Sequence, residues 1–175
     1  KDGNHVVLYD RYDMWVVDLS GQEKVYSLTN GYGRATSRQF RRLKNDYDDK
    51  IIDLKNGFLM TSVNLDNRDE GIYRFLPNGK IKKLIEGAYS ISINQRSDNE
   101  KYCIFSRQSY TESRDLWWSD LTFTRPVRIT DVNPQQKDYA WGTVKLIKWI
   151  NYEDKENAGL LYLPENYDPN KRYPV

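Results

Sequence analysis

Three similar segments, each centred on an apolar and aromatic run, limit the folds open to this chain of 175 residues. The clearest copies are 13–19 (DMWVVDL) and 115–121 (DLWWSDL), and a looser copy lies at 71–76 (GIYRFL). A strand-like run precedes each copy and another follows it. A unit of three or more antiparallel strands that occurs three times predicts a repeat architecture.

The spacing of the copies indicates which repeat is present. Asp13, Gly71 and Asp115 are separated by 58 and 44 residues, and a propeller blade of four strands needs roughly 40–45 residues. We assign the excess in the first interval to an insertion, the polar stretch 31–50. The prediction is an all-β chain with about three four-stranded antiparallel blades of a partial β-propeller, and these blades lie at about 1–30, 51–86 and 88–130.

The character of the sequence changes after the third copy. We predict a partial propeller over 1–131, a polar linker over 132–141 and a second unit over 142–175. The run 142–149 alternates apolar and polar residues, as a half-buried antiparallel strand does, and 159–163 reads as its hairpin partner. The start at Lys1, inside a strand-bearing repeat, predicts that the chain is part of a longer protein.

Charge and composition give no sign of a nucleic acid or membrane partner. The net charge is only +2, so nothing demands nucleic acid or an anionic membrane as a partner. No apolar run approaches the roughly 20 residues needed to span a bilayer, and Cys103 is expected to be a buried small residue. Three blades cannot close a ring that needs at least four. We therefore expect an open arc whose apolar face favours a homo-oligomer through the open blade edges.

The residue types that carry chemistry are few, and we predict no cofactor and no metal site. His5 is the single histidine, which excludes the usual zinc ligand sets and favours a structural or solvated imidazole. The adjacent carboxylates Asp48–Asp49 and Asp69–Glu70 diverge on a strand-like backbone, so we read both as solvated loop residues. Tyr110 and Tyr139 at loop tips are candidates for contact with a peptide or glycan, but scattered aromatic residues are common on protein surfaces.

Two further local patterns have structural readings. Gly31, Tyr32 and Gly33 form no phosphate-binding fingerprint, so we predict a plain turn there. A basic cluster is immediately offset by acidic residues, which favours a solvated strand and loop of mixed charge. Its members are Arg38, Arg41, Arg42 and Lys44, followed by Asp46, Asp48 and Asp49.

The run 159–175 (GLLYLPENYDPNKRYPV) resembles the segment that opens the catalytic domain in the prolyl oligopeptidase family of serine peptidases. It is most similar to the dipeptidyl-peptidase-IV-like and acylaminoacyl-peptidase-like members, particularly bacterial ones. Stretches similar to the end of that family's propeller lie at 28–34, 69–74, 115–117 and 121–141.

The resemblance implies a peptidase with an N-terminal β-propeller and a C-terminal α/β-hydrolase domain, and 142–175 would begin that domain. The catalytic Ser, Asp and His would lie after Val175, so no catalytic residue is assigned here, and the substrate-binding residues are unknown. The implied function is the non-catalytic propeller portion of a serine exo- or oligopeptidase, which gates and positions a peptide substrate. A periplasmic or secreted location is favoured over the cytoplasm.

A second function stays open at this point. The alternative is a β-propeller binding module for a peptide, glycan or protein partner, without peptidase activity. On either interpretation we expect the chain itself to hydrolyse no peptide, because acyl transfer needs an activated nucleophile, an imidazole base and oxyanion donors.

Overall fold

The computed structural model describes residues 3–44 and 50–174. The fold is all-β, with 47% strand, 5% helix and four antiparallel sheets that form no closed barrel in the described part of the chain. This confirms the predicted class. Predictions on Asp46, Asp48, Asp49 and Val175 fall outside the described residues. Within the described ranges, no helix combines the length and the apolar character that crossing a membrane requires.

The first two sheets cover the N-terminal half. The first contains β1 (His5–Tyr9), β2 (Met14–Asp18) and β3 (Tyr26–Ser27), in that order. A four-residue helix, α1 (Tyr32–Ala35), leads to the second sheet. That sheet contains β4 (Arg38–Arg42), β5 (Phe58–Asn64), β6 (Glu70–Phe75) and β7 (Ile81–Gly87), again in chain order.

The third and fourth sheets complete the chain. The third contains β8 (Ser90–Arg96), β9 (Tyr102–Ser109), β10 (Glu112–Asp120) and β11 (Val127–Arg128), each strand paired with its neighbour in the chain. A 3-10 helix at Pro134–Asp138 follows. The fourth sheet is a hairpin of β12 (Thr143–Ile150) and β13 (Glu156–Leu163), which pair in register from Thr143↔Leu163 to Ile150↔Glu156.

Three predictions about the first half of the chain are wrong. The stretch 31–50 is not an irregular insertion, because it contains α1 and β4, and β4 is the first strand of the second sheet. Ile51, which we predicted to open that sheet, lies in no strand. The reason is that β4 buries one apolar side chain, Phe40, among four polar ones, so its sequence lacks the alternation of a half-buried strand. The first sheet also has three strands rather than four.

The core lies between successive sheets. One buried cluster joins the first sheet to the second and consists of Met14, Val16, Leu28, Phe40, Met60, Tyr73 and Phe75. Another joins the second sheet to the third and consists of Leu59, Ile72, Ile91, Cys103, Phe105, Leu121 and Phe123. Neighbouring residues of β5 and of β6 point to opposite faces, so the second sheet buries both of its faces.

Not every aromatic residue of the repeats lies in this core. Trp117 is half-buried and stacks on Phe105, with ring centroids 6.2 Å apart, and Trp118 on the opposite face is 40% exposed. From its matching position in the first copy (13–19), Trp15 is expected to pack between sheets as Trp117 does, and this expectation is wrong. Met14 and Val16 fill the core, while Trp15 stays half-buried on the other face and donates its ring N–H to Asp10.

A buried carboxylate closes the first and third sheets in the same way. Thr29 donates its hydroxyl hydrogen to Asp13 Oδ1 at 2.6 Å, and Thr130 donates to Asp115 Oδ1 at 2.6 Å. In return, the N–H after each aspartate donates to the threonine oxygen, at 3.1 Å from Met14 and 2.9 Å from Leu116. We call this arrangement the Asp–Thr clasp. It fixes the residues that follow β3 to the start of β2, and the residues that follow β11 to the middle of β10.

The clasp in the first sheet also explains why Gly33 is a glycine. Asp13 accepts the backbone N–H groups of Gly33 at 2.8 Å and Arg34 at 3.1 Å. A Cβ on Gly33 would lie 2.7 Å from the Tyr12 carbonyl oxygen and 2.8 Å from that of Arg38, which is too close for a carbon atom. The predicted plain turn is therefore wrong, since this stretch forms α1 and packs directly on the clasp.

Candidate functional site

The described surface contains a groove between the second and third sheets, which we call the arginine groove. It consists of two adjoining cavities of about 250 and 230 Å³ that share Leu43, Arg96 and Glu100. The charged side chains that line the larger cavity are Arg42, Asp53, Arg74, Arg96 and Glu100. Among the described lining residues, three arginines and two carboxylates therefore share this cavity.

Strand ends and strand register bring these arginines together. Arg42 is the last residue of β4, and Arg96 is the last residue of β8. Arg74 lies within β6 opposite Leu59, and directly opposed residues of an antiparallel pair share a face. Leu59 belongs to the cluster between the second and third sheets. Arg74 therefore faces the third sheet, which supplies Arg96.

The arginines differ in how their donors are used. Arg42 donates to the Ile51 carbonyl oxygen at 2.6 Å. The side chain of Arg96 is only 13% exposed, and its Nη1 lies 3.7 Å from Glu100 Oε1. Its Nη2 is buried and has no hydrogen-bond acceptor in the described structure. For Arg74, no side-chain hydrogen bond or ion pair with the described residues is found.

The Asp53 carboxylate in the groove is already engaged. It accepts the side-chain amide of Asn56 at 2.6 Å and the backbone N–H of Lys55 at 2.9 Å. The hydrogen bond from Asn56, followed by that from Lys55, lowers the pKa of Asp53. Asp53 is therefore a charged loop anchor that organises the wall of the groove.

The chemistry available in the groove is recognition of an anion. Guanidinium groups present several N–H donors in a rigid fork that matches a carboxylate. Each cavity is smaller than the roughly 300–1,000 Å³ of a pocket for a drug-sized ligand. A side chain or a chain terminus therefore suits this groove better than a whole small molecule.

The residues singled out in the sequence do not converge on this groove. His5 lies on β1 with its Nε2 3.3 Å from Glu23 Oε2 at the surface. Tyr139 is exposed, whereas the Tyr110 ring packs against the rings of Trp141 at 5.8 Å and Tyr162 at 5.2 Å. Tyr110 thus connects the third sheet to the hairpin rather than standing free at a loop tip.

The carboxylate pair at 69–70 diverges as predicted, but one member is not merely solvated. Asp69 accepts the side-chain amide of Asn67 at 3.0 Å. Glu70 Oε2 accepts the hydroxyl of Ser90 and the backbone N–H of Ile91, both at 3.0 Å. Glu70 therefore links the second sheet to the third, a contact that its sequence neighbours do not indicate.

The basic cluster is only partly solvated, which corrects its reading from the sequence. Arg38 donates to both Glu86 oxygens, at 2.8 and 2.7 Å, and Tyr73 donates its hydroxyl hydrogen to Glu86 at 2.7 Å. The side chains of Arg38 and Glu86 are 18% and 7% exposed. The hydrogen bond from Arg38 is the main cause that lowers the pKa of Glu86. This pair is a structural link across the second sheet.

Cys103 and the carboxylates of the described ranges show no arrangement for redox or metal chemistry. The Cys103 side chain is buried, as predicted, and burial raises the pKa of its thiol to about 11. In residues 3–44 and 50–174, no group of three or more His, Cys, Asp or Glu residues could hold a metal ion.

Sequence reasoning missed Arg74 and Arg96 as candidate binding residues. One signal was available for Arg74, because an arginine interrupts the otherwise apolar and aromatic run Ile72–Phe75. Arg96 sits among polar residues next to a turn and gave no signal. The proximity of the two residues depends on how the second and third sheets stack.

Comparison with known proteins finds similarity at the level of fold. A structure of a variant of AtxE2 isopeptidase with Astexin3-dC4 bound matches 97% of this chain, with a TM-score of 0.58 and 14% identity. The apo structure of AtxE2 isopeptidase matches 98%, with a TM-score of 0.57 and 14% identity. This chain spans 25% and 26% of those structures. No family model and no curated protein matches the chain.

These findings correct the family and function inferred from the sequence. Both structures described above are of an isopeptidase, so the identification as a member of the prolyl oligopeptidase family is wrong. The predicted role as the propeller portion of a serine exo- or oligopeptidase is overturned with it, and the alternative of a stand-alone binding module gains no support. In the described part of the misleading run, 159–163 end a strand and 164–174 are turns and irregular backbone, and turn-forming Pro, Asn and Asp recur for local reasons.

Proposed function

We propose that this chain is the peptide-binding β-sheet part of an isopeptidase-like protein. The observation that carries the proposal is the fold likeness to AtxE2 isopeptidase over 97% of the chain, in a structure with the peptide Astexin3-dC4 bound. An isopeptidase cleaves an amide bond that involves a side-chain amine or carboxyl group. Its substrate is therefore a branched or cyclised peptide, which needs a broad binding surface.

The same proposal covers the finer architecture. The first three sheets are successive blades of a partial propeller over 1–131, followed by a linker over 132–141. The hairpin in 142–175 belongs to a second domain of the α/β-hydrolase type. The two buried clusters between successive sheets support the stacked arrangement, because repeats stack to bury faces that none can bury alone. We also propose that the protein is periplasmic or secreted.

The contribution of this chain is binding rather than bond cleavage. Hydrolysis of an amide requires a nucleophile with an adjacent base, and the chain has one imidazole, on His5. The Nε2 of that imidazole contacts the Glu23 carboxylate at the surface. We therefore expect any cleavage to depend on residues beyond these 175.

A binding experiment with matched peptides tests the proposal. The chain is titrated by calorimetry with a peptide closed by an isopeptide bond between its N-terminal amine and a glutamate side chain. The linear peptide of the same sequence is the control, and Astexin3-dC4 is a further probe. We expect saturable binding of the closed peptide, about tenfold tighter than that of the linear one, because a closed ring loses less conformational freedom on binding.

Two results would overturn the proposal. One is the absence of saturable binding for the closed peptide and for Astexin3-dC4. The other is equal affinity for the closed and linear peptides, which would indicate an unselective peptide surface. Mass spectrometry of the same mixtures should show no gain of one water molecule by the closed peptide.

A further inference from the structure

We infer that Arg74 and Arg96 form a binding site for the carboxylate of a peptide, either a chain terminus or an acidic side chain. The inference goes beyond the proposed function and does not depend on it. It rests on two features of the arginine groove: unused donors and size.

The unused donors point to a ligand. Arg96 is a largely buried cation, and its Nη2 is shielded from solvent without an acceptor in the described structure. Leaving a buried donor of a charged group unsatisfied is unfavourable. The contact between Nη1 and Glu100 at 3.7 Å is too long for a hydrogen bond. Because Nη2 is not in contact with solvent, an incoming anion supplies the missing acceptor when the Arg96 side chain turns toward the cavity that it lines.

Arg74 gives the site its second cation. It lines the same cavity as Arg96 and comes from the facing sheet. Its side chain makes no hydrogen bond or ion pair with the residues that the structure describes. The two side chains therefore line one cavity, and together their guanidinium groups can supply hydrogen bonds to both oxygens of a carboxylate.

A carboxylate in the groove disfavours a doubly charged ligand. Asp53 lines the same cavity as Arg74 and Arg96. A carboxylate carries one negative charge, whereas a phosphate monoester carries close to two at neutral pH. The second charge of a phosphate would be repelled by Asp53, which the hydrogen bond from Asn56 keeps ionised.

Short fluorescent peptides separate the sources of the carboxylate. Three N-acetylated peptides of equal length are compared by anisotropy at low salt: a neutral peptide amide, the same peptide with a free C-terminus, and the amide with one internal glutamate. We expect at least one acidic peptide to bind about tenfold tighter than the neutral amide. The acidic peptide that binds better identifies the terminus or the side chain as the ligand.

Substitutions then locate the site. Arg74→Gln should weaken binding of the preferred acidic peptide about tenfold while leaving the melting temperature almost unchanged, because the arginine side chain has no described structural partner. Arg125→Gln is the matched control, since it removes the same charge from an exposed residue outside the groove, and it should change the affinity less than twofold. Arg96→Gln should weaken binding as Arg74→Gln does.

Three outcomes would overturn the inference. They are equal binding of all three peptides, unchanged binding by Arg74→Gln, and displacement of the acidic peptide by inorganic phosphate at lower concentration than by acetate. If a variant fails to fold, the comparison between acidic and neutral peptides on the unaltered chain still decides. The experiment is independent of the isopeptide test, because none of its peptides contains an isopeptide bond.

Discussion

At the scale of single residues, the Asp–Thr clasp places a buried carboxylate in the first and third sheets. Asp115 is fully buried and receives hydrogen bonds from the Thr130 hydroxyl, the Val132 N–H and the Arg128 guanidinium. Burial alone would raise the pKa of Asp115, but these hydrogen bonds outweigh it and lower the pKa. The carboxylate is therefore ionised inside the sheet and ties β10 to the chain after β11.

Replacement of this carboxylate tests the clasp. Asp115→Asn should lower the free energy of unfolding by about 2–4 kcal/mol. The amide removes the negative charge and places an NH2 donor where a carboxylate oxygen accepted hydrogen bonds. Urea denaturation measures the change. Asp98→Asn, at an exposed turn of the same sheet, is the control and should stay within about 0.5 kcal/mol of the unaltered chain. Equal stability of the two variants would contradict a structural role for the clasp.

At the scale of the element, β10 shows how the pleat assigns neighbouring residues to different environments. Trp117 faces inward, stacks on Phe105 and lies under the Arg107 guanidinium, 3.9 Å from the ring centroid. Trp118 faces outward and stacks on Tyr102 at 5.4 Å. In β2, Met14 and Val16 face inward and Trp15 lies half-buried on the other face. The matching positions of Trp15 and Trp117 in the repeats do not indicate this difference.

The two tryptophans of β10 should differ in their contribution to stability. Trp117→Ala should cost about 2–4 kcal/mol, toward the lower part of the range for aromatic truncation because the ring is only half-buried. Trp118→Ala should cost about 1 kcal/mol. Thermal and urea unfolding of both variants measure the difference. A larger loss for Trp118→Ala would mean that the two rings occupy the opposite faces from those described.

At the scale of the whole molecule, ionised carboxylates connect elements that are distant in the chain. Glu86 receives hydrogen bonds from Arg38 in β4 and Tyr73 in β6, and the side chains of the Arg38–Glu86 pair are mostly buried. Glu70 links the second sheet to the third. The pKa of Glu86 is lowered mainly by the hydrogen bond from Arg38, and that of Asp115 is lowered as well.

These lowered values predict the direction of the pH dependence. A carboxyl whose pKa is lower in the folded state stabilises the fold above its unfolded pKa, and this stability is lost as the pH falls through the folded pKa. The ordinary values are 4.5 for Glu and 3.8 for Asp. The contribution of these groups to the free energy of unfolding should therefore be constant from neutral pH to about pH 5 and decrease below about pH 4.5.

Urea titrations at a series of pH values measure this dependence. Glu86→Gln should be less stable at neutral pH and should lose less stability on acidification than the unaltered chain, because it has one fewer proton to take up on unfolding. Lys24→Gln, which removes an exposed charge far from the pair in the sequence, should keep the original acid slope. If the fold gained stability as the pH fell from 5 to 3, the pKa values of Glu86 and Asp115 would not be lowered in the folded state.

How much could be predicted from the sequence depended on whether the signal was local. The strands at the repeated segments, and the runs that precede them, were predicted because apolar and aromatic runs bounded by turn residues identify strands without knowledge of their neighbours. Strand β4 was missed because its pattern RQFRR acquires meaning only when Phe40 packs in the cluster between the first two sheets. The isopeptidase likeness was missed because 14% identity preserves a fold without preserving motifs.

The sequence by itself determined the all-β class, the antiparallel pairing of chain neighbours and the burial of Cys103, since side-chain periodicity and turn chemistry act over a few residues. Only the tertiary structure decided that Arg74 and Arg96 share a groove and that Arg38 pairs with Glu86, 48 residues later. The physical reason is that sheet stacking sets these distances. Stacking follows from the total apolar surface buried between sheets, which no local stretch of sequence specifies.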